Sequence, residues 1–194
     1  MNKNDLRYIK TEELIINSFL DCINHTSFEE TTVSMICEKA RISRHSFYTH
    51  YVDKYALLEK LYKNLEDRFN GTIKEEILNH AKAKNFYPAC RRAVTDFIEN
   101  KDLIILLLKC SRHKVMDIYE KTYIDISTAM YVENYDKKIK KPQLQLTKKF
   151  LLHGIIGYLE DYILNNSSLD IDEVIQHLYQ LCDQPSCFFF EQLS

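Results

Sequence analysis

The short stretch from Arg44 to Lys54 gathers one guanidinium, two imidazoles, a phenol, a hydroxyl and an ammonium, on Arg44, His45, Tyr48, Thr49, His50 and Lys54. All are hydrogen-bond donors, and no carboxylate stands among them except Asp53. That donor set suits recognition of an anionic polymer better than bond cleavage. The planar fork of Arg44 can bond a guanine edge through two parallel N–H groups, worth about 1–3 kcal/mol of discrimination. His45, beside it, is the second candidate for base contact. Tyr48, Thr49, His50 and Lys54 offer donors for phosphate oxygens, which position a protein on a duplex without reading its sequence.

Such groups need a rigid frame, and the surrounding segment Thr32 to Leu58, TVSMICEKARISRHSFYTHYVDKYALL, supplies one. It reads as a short helix, a tight turn and a second short helix, the organisation by which a helix-turn-helix presents a helix to a major groove. Ile36, Ala40, Ile42 and Phe47 are the apolar residues that hold the two helices at a fixed crossing. Thr32 caps the first of them, Ser43 the second, and Asp53 the helix that follows, whose apolar side runs through Ala56, Leu57, Leu61 and Leu65 to about Phe69. Upstream, Thr11 precedes Glu12 and Glu13 and an apolar stripe of Leu14, Ile15, Phe19, Cys22 and Ile23, which predicts a helix beginning there.

Net charge is −2, against the basic balance usual for a nucleic-acid binder. The distribution matters more than the sum. Between Lys39 and Lys54 the cations Lys39, Arg41, Arg44 and Lys54 face only Asp53, while Glu12, Glu13, Asp21, Glu29 and Glu30 lie upstream.

On these residues the segment from Ile15 to Leu58 resembles the DNA-binding domain of the TetR/AcrR family of transcriptional repressors. Thr32, Val33, Ile36, Ala40, Ser43, Tyr48, His50, Lys54 and Leu57 match the family pattern with its spacing intact. The resemblance implies phosphate contacts from Thr32, Ser43, Tyr48, His50 and Lys54, and base contacts chiefly from Arg44 and His45. It also implies a homodimer on a palindromic operator in double-stranded DNA, released by a small-molecule effector bound in the C-terminal bundle. Arg41 departs from the pattern, standing where the family has glycine, so it must accept a left-handed backbone at a cost of about 1 kcal/mol. Cys37 replaces alanine, Ser27 a glycine and Tyr51 a phenylalanine.

The expected fold is all-α: a three-helix helix-turn-helix domain over residues 1–54, then a helical ligand-binding and dimerisation domain over 55–194, joined by a helix from about 53 to 69. Only three glycines and three prolines in 194 residues agree with a helical chain poor in turns. Phe86, Tyr87, Ala89, Ala93, Val94, Phe97 and Ile98 form one amphipathic stripe, and Leu103 to Leu108 is apolar on all sides, as a helix inside a bundle would be. A tyrosine-rich helix follows from about His113 to Tyr135, and residues 136–142, DKKIKKP, read as a loop. Two more helices are expected at about Leu144 to Leu164 and Ile171 to Cys182. They are the expected dimer interface, through Leu151, Gly154, Ile155, Tyr158, Tyr162, Ile171, Val174, Ile175 and Leu178. Gly154 and Gly157 would allow a close helix approach. The effector pocket would draw on Phe86, Phe97, Cys110, His113, Tyr119 and Tyr123, aromatic walls with a few polar tips. The tail carries Phe188, Phe189 and Phe190 in succession, expected to tuck against the bundle or the partner subunit.

No P-loop, HExxH or G-x-S-x-G is present, and neither cofactor nor metal site is expected, so an enzyme is not the reading. The six cysteines, Cys22, Cys37, Cys90, Cys110, Cys182 and Cys187, form no CxxC pair and read as reduced, buried residues of a cytoplasmic chain. The polar N-terminus and short apolar runs predict no membrane segment. Two rivals to the repressor stay open: a coactivator that keeps the fold but binds a protein, and a thiol-based redox regulator.

Overall fold

A computed structural model describes residues 5–80, 87–134, 141–165 and 168–192, with the side chains of 72–80, 89, 123–134, 141–145, 147–148 and 182–192 left out. Its elements are α1 (Leu6–His25), α2 (Val33–Ala40), α3 (Arg44–His50), α4 (Lys54–His80), α5 (Tyr87–Glu99), α6 (Lys101–Asn134), α7 (Lys141–Leu164) and α8 (Ile171–Gln192). Among the described residues there is no strand, so the chain is all-α. No described helix is long and apolar enough to cross a membrane.

The chain forms two compact units. The first takes the N-terminal residues to Asn64 together with Asp102–Arg112; the second takes Leu65–Lys101 and everything from His113 onward. The divide therefore falls inside α4 and again inside α6. Ser111, at φ −161 and ψ 101, interrupts α6, so the apolar stretch from Leu103 and the tyrosine-rich stretch from His113 are separate arms of one element.

In the first unit, cap chemistry decides where the helices begin. Asp5 caps α1 by accepting the Arg7 N–H at 2.9 Å, so the helix starts upstream of the expected cap Thr11, whose hydroxyl instead donates to the Arg7 carbonyl within the helix. Thr32 accepts the Met35 N–H, Ser43 the Ser46 N–H, and Asp53 the Ala56 N–H, which are the three caps expected of them. Ile15 and Phe19, one turn apart on α1, Ile36 of α2, Phe47 of α3 and Leu57 of α4 lose all solvent contact and form the core of this unit. Each such side chain contributes roughly 1.5–3 kcal/mol by burial. From the other arm, Ile104 and Leu107 are buried and the Leu107 carbonyl accepts the Tyr62 hydroxyl at 3.2 Å.

The second unit is built from the end of α4, α5, the later arm of α6, α7 and α8, with α5 packed on both α7 and α8. Asp96, almost fully buried, is neutralised by Arg68 at 2.9 Å, and Thr122 donates to Asn70 at 2.8 Å. The Tyr119 ring is buried between Phe69 and Phe97, with centroids at 4.5 and 5.7 Å.

Here the expected dimer stripe needs correction. Val174 and Ile175 of α8 are 0% exposed and Leu178 2%, so they close the unit's own core and have no area left for a partner. On α7 the core face is Leu152, Ile156, Leu159 and Ile163, one position beyond the expected stripe. Leu151, Ile155, Tyr158, Tyr162 and, on α8, Ile171 are half-buried at its flank. Among the described side chains of α7, the large apolar ones left uncovered are Leu146 at 70%, Phe150 at 72% and Leu164. Gly154 and Gly157 fall on the same side as these, and a Cβ at either would meet nothing within 4 Å.

The expected effector-pocket residues are described only in part. Phe97 and Tyr119 meet in the second unit, Cys110 belongs to the first, and the His113 side chain is 86% exposed beside Asp117 at 3.6 Å. Phe86, most of the 136–142 loop and the side chains of Tyr123, Leu144, Cys182, Cys187 and Phe188 to Phe190 lie outside the described residues.

Candidate nucleic-acid interface

The turn between α2 and α3 is where the frame is most constrained. Arg41 ends α2 in the left-handed region, at φ 55 and ψ 42, and is the one non-glycine described residue there. The strain is compensated: its N–H bonds Glu38 O at 3.1 Å and the Ile42 N–H bonds Cys37 O at 3.0 Å, satisfying carbonyls that a helix end leaves open. Cys37 sits beneath the turn, its thiol donating to the Ser43 carbonyl at 4.0 Å.

On α3, Phe47 is fully buried while Arg44, His45, Tyr48 and Thr49 are exposed. One anchored aromatic thus holds a seven-residue helix with its donors outward. The Arg44 guanidinium reaches across to the hydroxyl of Ser34 on α2, a partner that the sequence did not single out. Thr49 donates to the His45 carbonyl at 3.0 Å within the helix. Thr32 and Ser43 use their hydroxyl oxygens as cap acceptors, which leaves each O–H able to donate outward.

Lys54 does something else. Its Nζ donates to the carbonyls of Phe28, Glu29 and Thr31 at 2.7, 2.9 and 2.7 Å, and lies over the Phe28 ring at 4.7 Å. An ammonium has three donors, and all three are used. The residue expected to grip phosphate instead ties the α1–α2 loop to the start of α4.

His50 is half-buried. Its ring stacks on Tyr8 of α1 with centroids 3.9 Å apart, and its Nδ1 is buried without a hydrogen-bond partner. Burial draws its pKa below the ordinary imidazole value, against the opposing pull of Glu12. Beside it, Tyr51 donates to Glu12 Oε1 at 2.9 Å, and burial pushes that phenol far above its ordinary value.

Three of the described cysteines are held as thiols. Burial raises the Cys22 and Cys37 thiols, and raises Cys110 to about 11 with Glu29 adding to the effect, so each is a protonated thiol at neutral pH. Among the described residues no three His, Cys, Asp or Glu side chains converge as a metal site.

Residues 15–61 match the sequence pattern of the bacterial regulatory proteins of the tetR family, and the match contains every exposed donor of α3 and both caps before it. Over that segment the chain is similar to the tetR family of regulatory proteins. Among curated relatives, it is 24% identical to the HTH-type transcriptional regulator YerO of Bacillus subtilis, over 94% of this chain and 63% of that one. The chain therefore spans less than two thirds of that relative's length. Its fold matches the TetR transcriptional regulator of Streptococcus agalactiae with a TM-score of 0.61 at 20% identity, covering 89% of this chain and 93% of the other. It also matches NalD, the secondary repressor of the MexAB-OprM multidrug efflux pump in Pseudomonas aeruginosa, with a TM-score of 0.64 at 11% identity, covering 90% and 96%.

Proposed function

We propose that this chain is a TetR-type repressor that binds a palindromic operator as a homodimer in the cytoplasm and is released by a small-molecule effector. The observation that carries the reading is the pairing of buried Phe47 with exposed Arg44 and His45 on the first turn of α3. Those two side chains take the base edges. Thr32, Ser43, Tyr48, Thr49 and His50 take the phosphates, and Lys54 serves the domain's own structure.

The stripe of Leu146, Phe150, Gly154, Gly157 and Leu164 is the face for the second copy. Its glycines mark the crossing point and its large side chains the flanks. Two heads one helical turn of DNA apart, roughly 34 Å, would then read two half-sites. Phe97 and Tyr119 are the aromatic groups best placed to meet an apolar effector if the second unit opens. A repressor of an efflux pump among the fold's relatives fits that chemistry.

Fluorescence anisotropy of the purified chain with labelled fragments from its own promoter tests the proposal. A palindrome should bind in a dimer to duplex ratio, with affinity falling steeply as salt rises. An intact dimer that binds none of these fragments would favour the protein-binding coactivator.

A further inference from the structure

We propose that Tyr8 of α1 is a positioning residue for DNA binding, holding the His50 ring so that Nε2 alone is presented to a phosphate. The inference rests on the DNA-binding reading above and adds to it a residue that touches no DNA.

Tyr8 is buried, and its ring lies 3.9 Å from that of His50 at 28°, which fixes both the position and the plane of the imidazole. Nδ1 is on the covered side, with no hydrogen-bond partner. A buried N–H without an acceptor is costlier than an idle lone pair, so the proton belongs on Nε2. Nε2 is then the ring nitrogen left to bond an outside acceptor, and as a neutral donor it is ready for phosphate without tautomer exchange. The titratable groups facing the ring are Tyr8 and Glu12 from α1 and Tyr51 after α3, whose ring centroid is 6.3 Å away. Glu12 is engaged by the Tyr51 hydroxyl at 2.9 Å, so its carboxylate is held by a neighbour other than His50. Lost stacking would let the ring turn, hydrate Nδ1 and titrate as an ordinary histidine.

Two measurements on the full chain decide it. Nitrogen-15 NMR of the imidazoles should find wild-type His50 as the neutral Nε2–H tautomer at neutral pH, titrating below the ordinary imidazole range, with Tyr8→Leu moving it up to that range. Operator affinity at fixed salt should fall alike in Tyr8→Leu and His50→Gln, by roughly tenfold per head for one hydrogen bond to a charged oxygen, with the salt slope unchanged because a neutral donor releases no counterion. The double variant should fall no further, and Tyr8→Phe, which keeps the ring, should keep wild-type affinity. An Nδ1–H tautomer, or a Tyr8→Leu affinity equal to wild type while His50→Gln loses it, overturns the assignment. The wild-type NMR result stands even if Tyr8→Leu does not fold. A wild type that binds no DNA would overturn the nucleic-acid reading as well, whereas binding that His50→Gln leaves unchanged overturns this inference alone.

Discussion

Residue identity at the head of this chain means little until the partner is known, and Lys54 shows it. An ammonium suits a phosphate and a cluster of carbonyls equally well, and only the placement of Phe28, Glu29 and Thr31 beside it decides. Replacing Lys54 with Met should destabilise the first unit by about 1.5–3 kcal/mol, the scale of a charged hydrogen bond lost against part-buried acceptors. Thermal unfolding would show the drop, while the salt slope of DNA binding stays as in wild type. An unchanged melting temperature with a reduced slope would return Lys54 to the phosphates. Arg41 makes the opposite case, because its strain was legible: a turn without glycine in a helix-turn-helix forces some residue left-handed. Arg41→Gly should stabilise the chain by about 0.5–1 kcal/mol, read from denaturant unfolding, since relief of strain outweighs the freer unfolded chain. The caps Thr32, Ser43 and Asp53 were legible for the same reason, being local chemistry. Ser34 and Tyr8 were not, since each matters only through a side chain brought to it by folding.

Elements carry a different lesson. Periodicity located α7 and the start of α8, but which flank of each stripe faces inward depends on where α5 packs, and that lies outside any window of sequence. Hence Val174, Ile175 and Leu178 belong to the core, while Phe150 and Leu146 remain uncovered. The two faces should separate cleanly on substitution. Leu178→Ala should cost about 2–5 kcal/mol of stability and leave the dimer intact below its unfolding transition. Phe150→Glu should shift sedimentation from dimer to monomer with little change in secondary structure. If Phe150→Glu remains dimeric, the proposed face is wrong. The packing of α1 on α3 also carries a proton linkage. His50, held below its ordinary pKa, is harder to protonate folded than unfolded, so the unfolded chain binds more protons as pH falls below about 6.5 and stability drops there. His50→Gln should flatten that part of the stability profile, as followed by thermal unfolding across pH.

At the scale of the whole molecule, the head is a rigid donor array on a buried aromatic, and the second unit supplies an uncovered apolar face and an aromatic core. The central claim is that the first turn of α3 reads bases. Its most direct test compares wild type and Arg44→Ala on the operator and on operators with each G·C pair exchanged in turn, at fixed salt. Wild type should lose about 1–3 kcal/mol at one pair in each half-site, and Arg44→Ala should bind more weakly yet no longer distinguish that pair. If Arg44→Ala keeps the full discrimination at every position, base reading lies elsewhere and the account fails.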